Sequence, residues 1–430
     1  MLAIHQHRRP EKPVDKDVMP ASAAFPDNGD VLVPEMFSSI LSVTPVQNPH
    51  YDKVKQEAEA WIAETLDLNA KQAARNARAD FTYLVSWWAP CCDAEALRTM
   101  VDWQHWTDVA NRPSLGMTVR GFNLLLMPSA RSFSWSCLAF LSMFADHWFS
   151  SSADAEFDEG HLKEDLYGAA QNIIQMTSIL DDCHPPVSRA EDPIAYAFQV
   201  NWRCIQKVDS PDGRPVFSLL SHADMAQRAS PALQHRYKSY MKHYMLGVLG
   251  QVNSRKLPVK ALTIDEFLIF RRGTIGVMPC TVLVEYALGI EVPETIINHT
   301  SVKTCQEVAV DLVLLDNDVL SYKKDVLEGE ELSVIGILRS QGYTLQEAMD
   351  EAGNMIEMCY RRWDEALEHM PSWGAELDIV VLAYLDGIRN IALGSLLWSF
   401  WTGRYFDKEE GDQLRKTRIL RLGTGSKTSL

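Results

Sequence analysis

The sequence predicts an all-α protein built around one large domain. Helical periodicity recurs from residue 51 to residue 401 outside an irregular segment, strand-like alternation is nearly absent, and no repeat returns at a fixed spacing. The chain has 430 residues, of which 47% are hydrophobic, so it can bury an extensive core. Twelve Trp and sixteen Met suit a large apolar interior or cavity.

The order of the predicted elements defines the domain boundaries. We expect a disordered arm over 1–30, a helical domain over 31–410 with an atypical insert over 107–156, and a loose tail over 411–430. Within the domain, residues 31–37 form a short apolar anchor, and 80–88 is an apolar, aromatic segment. Helices are predicted over 51–66, 93–106, 165–180, 194–208, 231–249, 264–272, 280–288, 294–327, 332–340, 345–370 and 376–401.

Charge and cysteine usage exclude several classes of protein. The net charge of −16 argues against a nucleic-acid backbone or an anionic membrane as the main partner. Residues 133–149 are apolar, but they are short for a membrane span and contain Asp146 and His147. The arm over 1–30 lacks the apolar run of a signal peptide, and the eight Cys show no zinc spacing. We therefore expect a cytoplasmic protein with reduced thiols.

A polar stripe near residue 320 is the strongest functional signal. No Gly or Pro interrupts 301–327, so a helix is predicted there, and Asn317, Ser321 and Asp325 share one face at i, i+4 and i+8. An amide oxygen, a hydroxyl and a carboxylate are hard ligands of the kind that Mg²⁺ accepts. Lys324 adds a positive charge close to that face. The alternative is an amphipathic helix with a solvated polar face.

A second acidic pair lies earlier in the chain. Asp154 and Asp158 are spaced i and i+4, so on a helix they face the same way. Two acidic helices facing each other across a cavity would hold several Mg²⁺ ions around a diphosphate. Taken alone, an acidic run of this kind is more often a solvated surface.

Two basic motifs complete the set. Arg271 and Arg272 end an apolar helix just before two glycines, and arginine forks bind phosphate oxygens bidentately. Arg404 and Tyr405 follow an apolar helix, where they can contact a phosphate through a charge and a hydroxyl donor. The alternatives are a helix end stabilised by its dipole and an ordinary capped helix end.

Taken in order, the four motifs resemble those of class I terpene synthases. The resemblance is closest to fungal sesquiterpene cyclases of the group that contains presilphiperfolanol, longiborneol and trichobrasilenol synthases. It extends over 31–106 and 157–410, and Asp325 stands where the family more usually has Glu. The segments that carry it are 48–51 (Asn-Pro-His-Tyr), 100–103 (Met-Val-Asp-Trp), 157–162 (Phe-Asp-Glu-Gly-His-Leu) and 271–277 (Arg-Arg-Gly-Thr-Ile-Gly-Val).

This resemblance implies a helical bundle around a deep apolar cavity that cyclises farnesyl diphosphate to a sesquiterpene hydrocarbon or alcohol. It implies three Mg²⁺ ions, and no nucleic-acid partner or membrane span, in a monomer or homodimer. The implied metal ligands are Asn317, Ser321, Asp325, Asp154 and Asp158. The implied diphosphate contacts are Arg271 as sensor, with Arg272 as its alternative, and Lys324, Arg404 and Tyr405. Phe81, Trp87, Trp88 and Trp398 are candidates for the cavity lining, or plain core.

The chain departs from the family pattern at the first acidic motif. Fifty residues separate Trp106 from Phe157, where the family has only a few, and Ala155 replaces the second aspartate. Either 107–156 is a gene-model error, or it is a real insertion in which Asp146 joins the site.

Two other functions remain open. A prenyltransferase would be expected to carry a second Asp-rich motif instead of the Asn/Ser/Asp stripe, and a catalytically impaired protein would keep only the fold.

Overall fold

A computed structural model describes residues 29–109, 165–206, 229–254, 262–328 and 332–422. These residues form sixteen α-helices and two short strands, which confirms the predicted all-α class. The helices are α1 (Tyr51–Thr65), α2 (Ala70–Ala79), α3 (Phe81–Val85), α4 (Ala94–Val109), α5 (Leu166–Leu180), α6 (Pro193–Gln206), α7 (Pro231–Ser254), α8 (Ile264–Thr274), α9 (Val277–Leu288), α10 (Glu294–Ile297), α11 (Thr300–Leu320), α12 (Tyr322–Glu328), α13 (Val334–Ser340), α14 (Leu345–Glu368), α15 (Ala375–Trp401) and α16 (Lys408–Thr417). The strands are β1 (Asp30–Leu32) and β2 (Ile419–Arg421).

Helix α11 is the central element of the bundle. It packs mainly against α14 and α15, and also against α8, α9 and α13. Its apolar residues, such as Val308 and Leu312, are fully buried, and most of its other residues are buried as well. A helix that is buried on nearly every side must satisfy any polar group it carries inside the protein.

The helix predicted over 294–327 is divided into three. A short helix, α10, precedes α11, and a break at Ser321 separates α11 from α12. The break keeps helical spacing, because the Ser321 amide donates to the Asn317 carbonyl at 2.8 Å and the Asp325 amide donates to the Ser321 carbonyl at 2.9 Å. The polar stripe therefore stays on one face, as predicted.

A glycine separates α8 from α9 and bends the chain by 45°. Gly276 has φ +73°, a left-handed conformation that L side chains rarely adopt. Arg271 lies in the last turn of α8, just before this bend. At the other end of α8, a capping box between Thr263 and Glu266 starts the helix.

The two ends of the described chain are tied together, which corrects the predicted boundaries. Strands β1 and β2 pair antiparallel, with Val31 opposite Leu420, and both side chains are buried. The predicted disordered arm included Asp30, and the predicted loose tail from 411 included most of α16 and all of β2. Gly411 explains the packing of α16, since a Cβ there would lie 2.2 Å from the Phe400 carbonyl oxygen.

One described helix, α15, is long and apolar enough to span a membrane. The bent pair α8–α9 is so only if the two helices are taken as one span. Within the bundle, 56% of the most apolar stretch of α15 is buried. The buried apolar residues of α8, α9 and α15 contribute to the core around α11.

Candidate active site

The polar stripe lies at the end of α11 and continues into α12. Ser321 and Asp325 are buried, and the Ser321 hydroxyl donates a hydrogen bond to the Asp325 carboxylate. Together with the Asn317 amide they present three hard oxygen ligands on one face, which fits a divalent cation such as Mg²⁺. No group of three or more His, Cys, Asp or Glu that could hold a metal occurs among the described residues, as expected for a stripe with a single carboxylate.

Asn317 joins three of the predicted motifs. Its side-chain oxygen accepts from the Arg271 guanidinium at 3.4 Å, and its side-chain nitrogen donates to the Tyr405 hydroxyl at 2.7 Å. Arg271 lies in the last turn of α8, and Tyr405 lies in the turn between α15 and α16. Arg271 and Tyr405 lie 46 and 88 positions from Asn317 in the sequence. Both therefore contact the Asn317 side chain despite this separation.

Two cations, Arg404 and Lys324, and the Asp325 carboxylate act on the Tyr405 hydroxyl. Burial raises the pKa of Tyr405, and the nearby charges of Arg404 and Lys324 partly oppose that rise. The Arg404 guanidinium lies 6.0 Å from the centre of the Tyr405 ring. Tyr405 is thus a protonated donor at neutral pH, next to a cluster of cations suited to an anionic ligand.

The Arg272 side chain binds Asp311 and not Asn317. Its guanidinium donates to both oxygens of Asp311, at 2.6 and 2.8 Å, and the hydrogen bond to Asp311 raises the pKa of Arg272. The structure therefore brings Arg271 to Asn317 but does not bring Arg272 there. Asp311 was not singled out from the sequence, although a carboxylate within an apolar run signals that a buried partner is needed.

The two aspartates beside Asn317 lie off the stripe. Asp318 accepts from the Val334 amide at 2.7 Å, at the first residue of α13, and burial raises the pKa of Asp318 to about 6 despite the charge of Arg271. Asp316 is buried, its carboxylate oxygens have no hydrogen-bond partner among the described residues, and burial raises its pKa well above the usual value. Asp318 thus connects the site to α13.

An aromatic wall adjoins Tyr405. The Trp398 ring lies 5.8 Å from Tyr405 and 5.6 Å from Phe81, and Phe81 lies 5.7 Å from His105. Two of the four predicted lining residues, Phe81 and Trp398, are thus linked to the polar cluster. The Trp87 ring packs 5.3 Å from Tyr83.

The first acidic motif lies outside the part of the chain that the structure describes. Asp154 and Asp158 lie outside the described residues, as do Ala155 and Asp146. Helix α4, which carries Trp106, is described up to Val109. The predicted site residues that lie within the described part of the chain are Asn317, Ser321, Asp325, Lys324, Arg271, Arg272, Arg404 and Tyr405.

Comparisons with known proteins identify the family of the chain. The family described as terpene synthase family 2, C-terminal metal binding, matches residues 148–362. The chain is 35% identical to (+)-eremophilene synthase of Gibberella fujikuroi, over 91% of this chain and 93% of that protein. It is 36% identical to (1R,4R,5S)-(-)-guaia-6,10(14)-diene synthase of Fusarium proliferatum, over 94% and 88%. A Gibberella fujikuroi protein named as an inactive form of that synthase is 35% identical over the same shares.

The fold also matches a solved structure. Germacradien-4-ol synthase from Streptomyces citricolor superposes with a TM-score of 0.59 at 17% identity, over 84% of this chain and 98% of that one. This likeness shows the fold alone, whereas the fungal relatives and the family match show the kinship. The narrower resemblance to the presilphiperfolanol synthase group stays a prediction. The chain belongs to the terpene synthase family and is an enzyme of the terpene synthase/cyclase class.

Proposed function

We propose that the protein is a Mg²⁺-dependent sesquiterpene cyclase that acts on farnesyl diphosphate. The observation that carries this proposal is the meeting of Arg271 and Tyr405 on Asn317, the first residue of the oxygen-ligand stripe. A cation ligand, a guanidinium and a hydroxyl donor at one point suit a metal-bound diphosphate. The fungal relatives are sesquiterpene synthases, which supports farnesyl diphosphate as the substrate.

The metal set is part of the proposal. Asn317, Ser321 and Asp325 would hold one Mg²⁺, and Asp154 and Asp158 would contribute ligands for the others of a set of three. The family match over 148–362 includes all five positions and describes a metal-binding region. When bound, the metal ions neutralise diphosphate charge and so make it a better leaving group.

Ionisation is the first chemical step. The allylic C–O bond breaks heterolytically, its electron pair leaves with the diphosphate oxygen, and an allylic carbocation remains. Arg271, Lys324 and Arg404 stabilise the negative charge that develops on the diphosphate, and the Tyr405 hydroxyl donates a hydrogen bond to it. These contacts strengthen as charge builds up, which is the condition for catalysis.

Cyclisation follows in the apolar interior. A double bond of the same isoprenoid attacks the carbocation. The final cation loses a proton to give a hydrocarbon, or it adds water and then loses a proton to give an alcohol. Trp398 adjoins Tyr405, and Phe81 adjoins Trp398, so their faces can stabilise positive charge close to where it forms. The same wall keeps bulk water away from the cation.

The test is incubation of the purified full-length chain with farnesyl diphosphate, with Mg²⁺ or with EDTA, followed by analysis of hydrocarbon-soluble products. We expect a cyclic sesquiterpene only with Mg²⁺. Parallel reactions contain geranylgeranyl diphosphate, or farnesyl diphosphate plus isopentenyl diphosphate. Cyclisation of only the longer substrate would overturn the substrate assignment, and a lengthened diphosphate would identify a prenyltransferase.

A catalytically impaired terpene synthase is the second candidate. Ala155 replaces an expected aspartate, and one relative of similar identity is named inactive. Should the full-length chain give no product, the same assay on a chain lacking 107–156 distinguishes the causes. Product from the shortened chain indicates a gene-model error, whereas its absence from both indicates an impaired enzyme.

We also propose a cytoplasmic location. All seven cysteines within the described residues are free thiols, which suits a reducing compartment. Size-exclusion chromatography with light scattering distinguishes the monomer from the homodimer.

A further inference from the structure

We propose that Arg272 and Asp311 form a positioning pair that sets the direction of Arg271 towards Asn317 and the diphosphate. The inference rests on the proposed function, because it gives Arg271 its role at the diphosphate. Arg272 and Asp311 themselves do not contact Asn317 in the described site. They act through the rotation of α8.

Asp311 is a buried anchor between three helices. Its side chain is 2% exposed, and it accepts from Arg272 of α8 at 2.6 and 2.8 Å and from Arg362 of α14 at 2.8 Å. Arg362 also donates to Glu307 at 3.1 Å. A buried carboxylate with two guanidinium partners resists displacement, since losing either partner leaves charge poorly compensated.

Because Arg271 and Arg272 are adjacent, the anchoring of Arg272 on Asp311 also constrains Arg271. Successive residues on a helix point about 100° apart, so fixing Arg272 on Asp311 fixes the direction of Arg271. Asp311 and Asn317 lie on the same helix, about 9 Å apart along its axis. One rigid element, α11, thus carries both the anchor for α8 and the residue that Arg271 contacts.

Helix α8 also contacts α7, α9 and α13. Against α7 it packs at a pair of glycines, where a Cβ on Gly247 would lie 2.6 Å from the Gly273 carbonyl oxygen. The break at Gly276 separates α8 from α9. The contacts of Arg271 with Asn317 and Thr274, at 3.4 and 3.5 Å, are long. The bidentate pair with Asp311 is the shorter and stronger constraint.

The first test compares Arg272→Met with Arg362→Met, a matched control that removes the other guanidinium from the same carboxylate. We expect Arg272→Met to lower kcat by about tenfold or more through misplacement of Arg271, with little change in KM. It should also weaken the thermal protection given by inorganic diphosphate with Mg²⁺. Arg362→Met should lower thermal stability but keep kcat and protection close to wild type. Equal losses in both variants would overturn the proposal.

The second test is a double-mutant cycle with Arg271→Met. If Arg272 acts through Arg271, adding Arg272→Met to Arg271→Met lowers kcat and protection little further. Additive losses would mean that Arg272 acts independently. Arg272→Lys keeps one charged contact, so it should recover part of the loss and provides a folded variant should Arg272→Met not fold.

The two proposals fail in different ways. Absence of a Mg²⁺-dependent product from the wild-type chain contradicts the proposed function. If the wild-type chain cyclises farnesyl diphosphate but Arg272→Met and Arg362→Met lose kcat and thermal protection equally, only the positioning role is contradicted. The protection measurement needs no turnover, so it tests the pair in either case.

Discussion

Two buried arginines, Arg236 and Arg271, differ in what they contact. Arg236 of α7 donates to the Glu285 carboxylate of α9 at 2.5 Å and to the Val292 carbonyl at 2.9 Å, and Glu285 accepts from the Val292 amide at 2.8 Å. Arg271 of α8 donates to the neutral side-chain oxygens of Asn317 and Thr274 at 3.4 and 3.5 Å. Both guanidinium groups are almost fully buried.

The difference separates a structural charge from one suited to a ligand. The Arg236–Glu285 pair is short, joins a guanidinium to a carboxyl group and is reinforced by the backbone, so both side chains have polar partners within the protein. The Arg271 contacts with Asn317 and Thr274 are longer and place its guanidinium beside the polar stripe, where a bound anion could reach it. Burial alone does not mark a functional arginine, whereas its position beside the oxygen-ligand stripe does.

The largest effect is expected at Asn317. Asn317→Ala removes a proposed metal ligand and the contact point of Arg271 and Tyr405, so turnover of farnesyl diphosphate should fall by about 10²-fold or more. The thermal midpoint should change little, because Asn317 is only partly buried. The control is Asn298→Ala, which removes a surface asparagine that bonds to Glu294. Near-wild-type product from Asn317→Ala would remove the basis of the site.

Exchanging the two arginines for Met tests the comparison directly. Arg236→Met leaves Glu285 buried without its partner, so the free energy of unfolding should fall by about 3–5 kcal/mol. Arg271→Met should instead lower kcat strongly and the free energy of unfolding only modestly. Urea unfolding and steady-state kinetics on both variants measure the two quantities. The same profile of stability and activity for both would show that the distinction is wrong.

The smallest expected effect is a pH dependence of stability from Glu285. Burial, opposed by Arg236, raises the pKa of Glu285 from 4.5 to about 7. Because the folded state favours the neutral form, the contribution of Glu285 to stability is fully present below pH 4.5 and is lost as the pH rises through about 7. Over that pH range, the free energy of unfolding of wild type should therefore fall relative to that of Glu285→Gln. A shift in the opposite direction would mean that Arg236 outweighs burial.

Local geometry explains what the sequence could predict. The spacing of Asn317, Ser321 and Asp325 defines one helical face even across the break at Ser321, so the stripe followed from the sequence. Most long helices followed from their apolar period. Helix α2 did not, because it is rich in polar and charged residues and is defined by a capping box between Asn69 and Gln72.

Tertiary contacts explain what the sequence could not predict. Arg271 and Arg272 are adjacent and chemically identical, and only the packing of α8 against α11 directs one to Asn317 and the other to Asp311. The pairing of β1 with β2 joins three-residue strands from opposite ends of the chain, which are too short to show alternation. Such long-range choices leave no local pattern.

The central claim is that the cluster around Asn317 binds a diphosphate together with Mg²⁺. The direct measurement is thermal unfolding of the wild-type chain and of Asn317→Ala with inorganic diphosphate, Mg²⁺, both or neither. We predict that wild type gains a few degrees only when both are present, since ligand at about 100 times its Kd adds about 2.7 kcal/mol, and that Asn317→Ala gains almost nothing. An equal gain in both proteins, or no gain in wild type, would contradict the account.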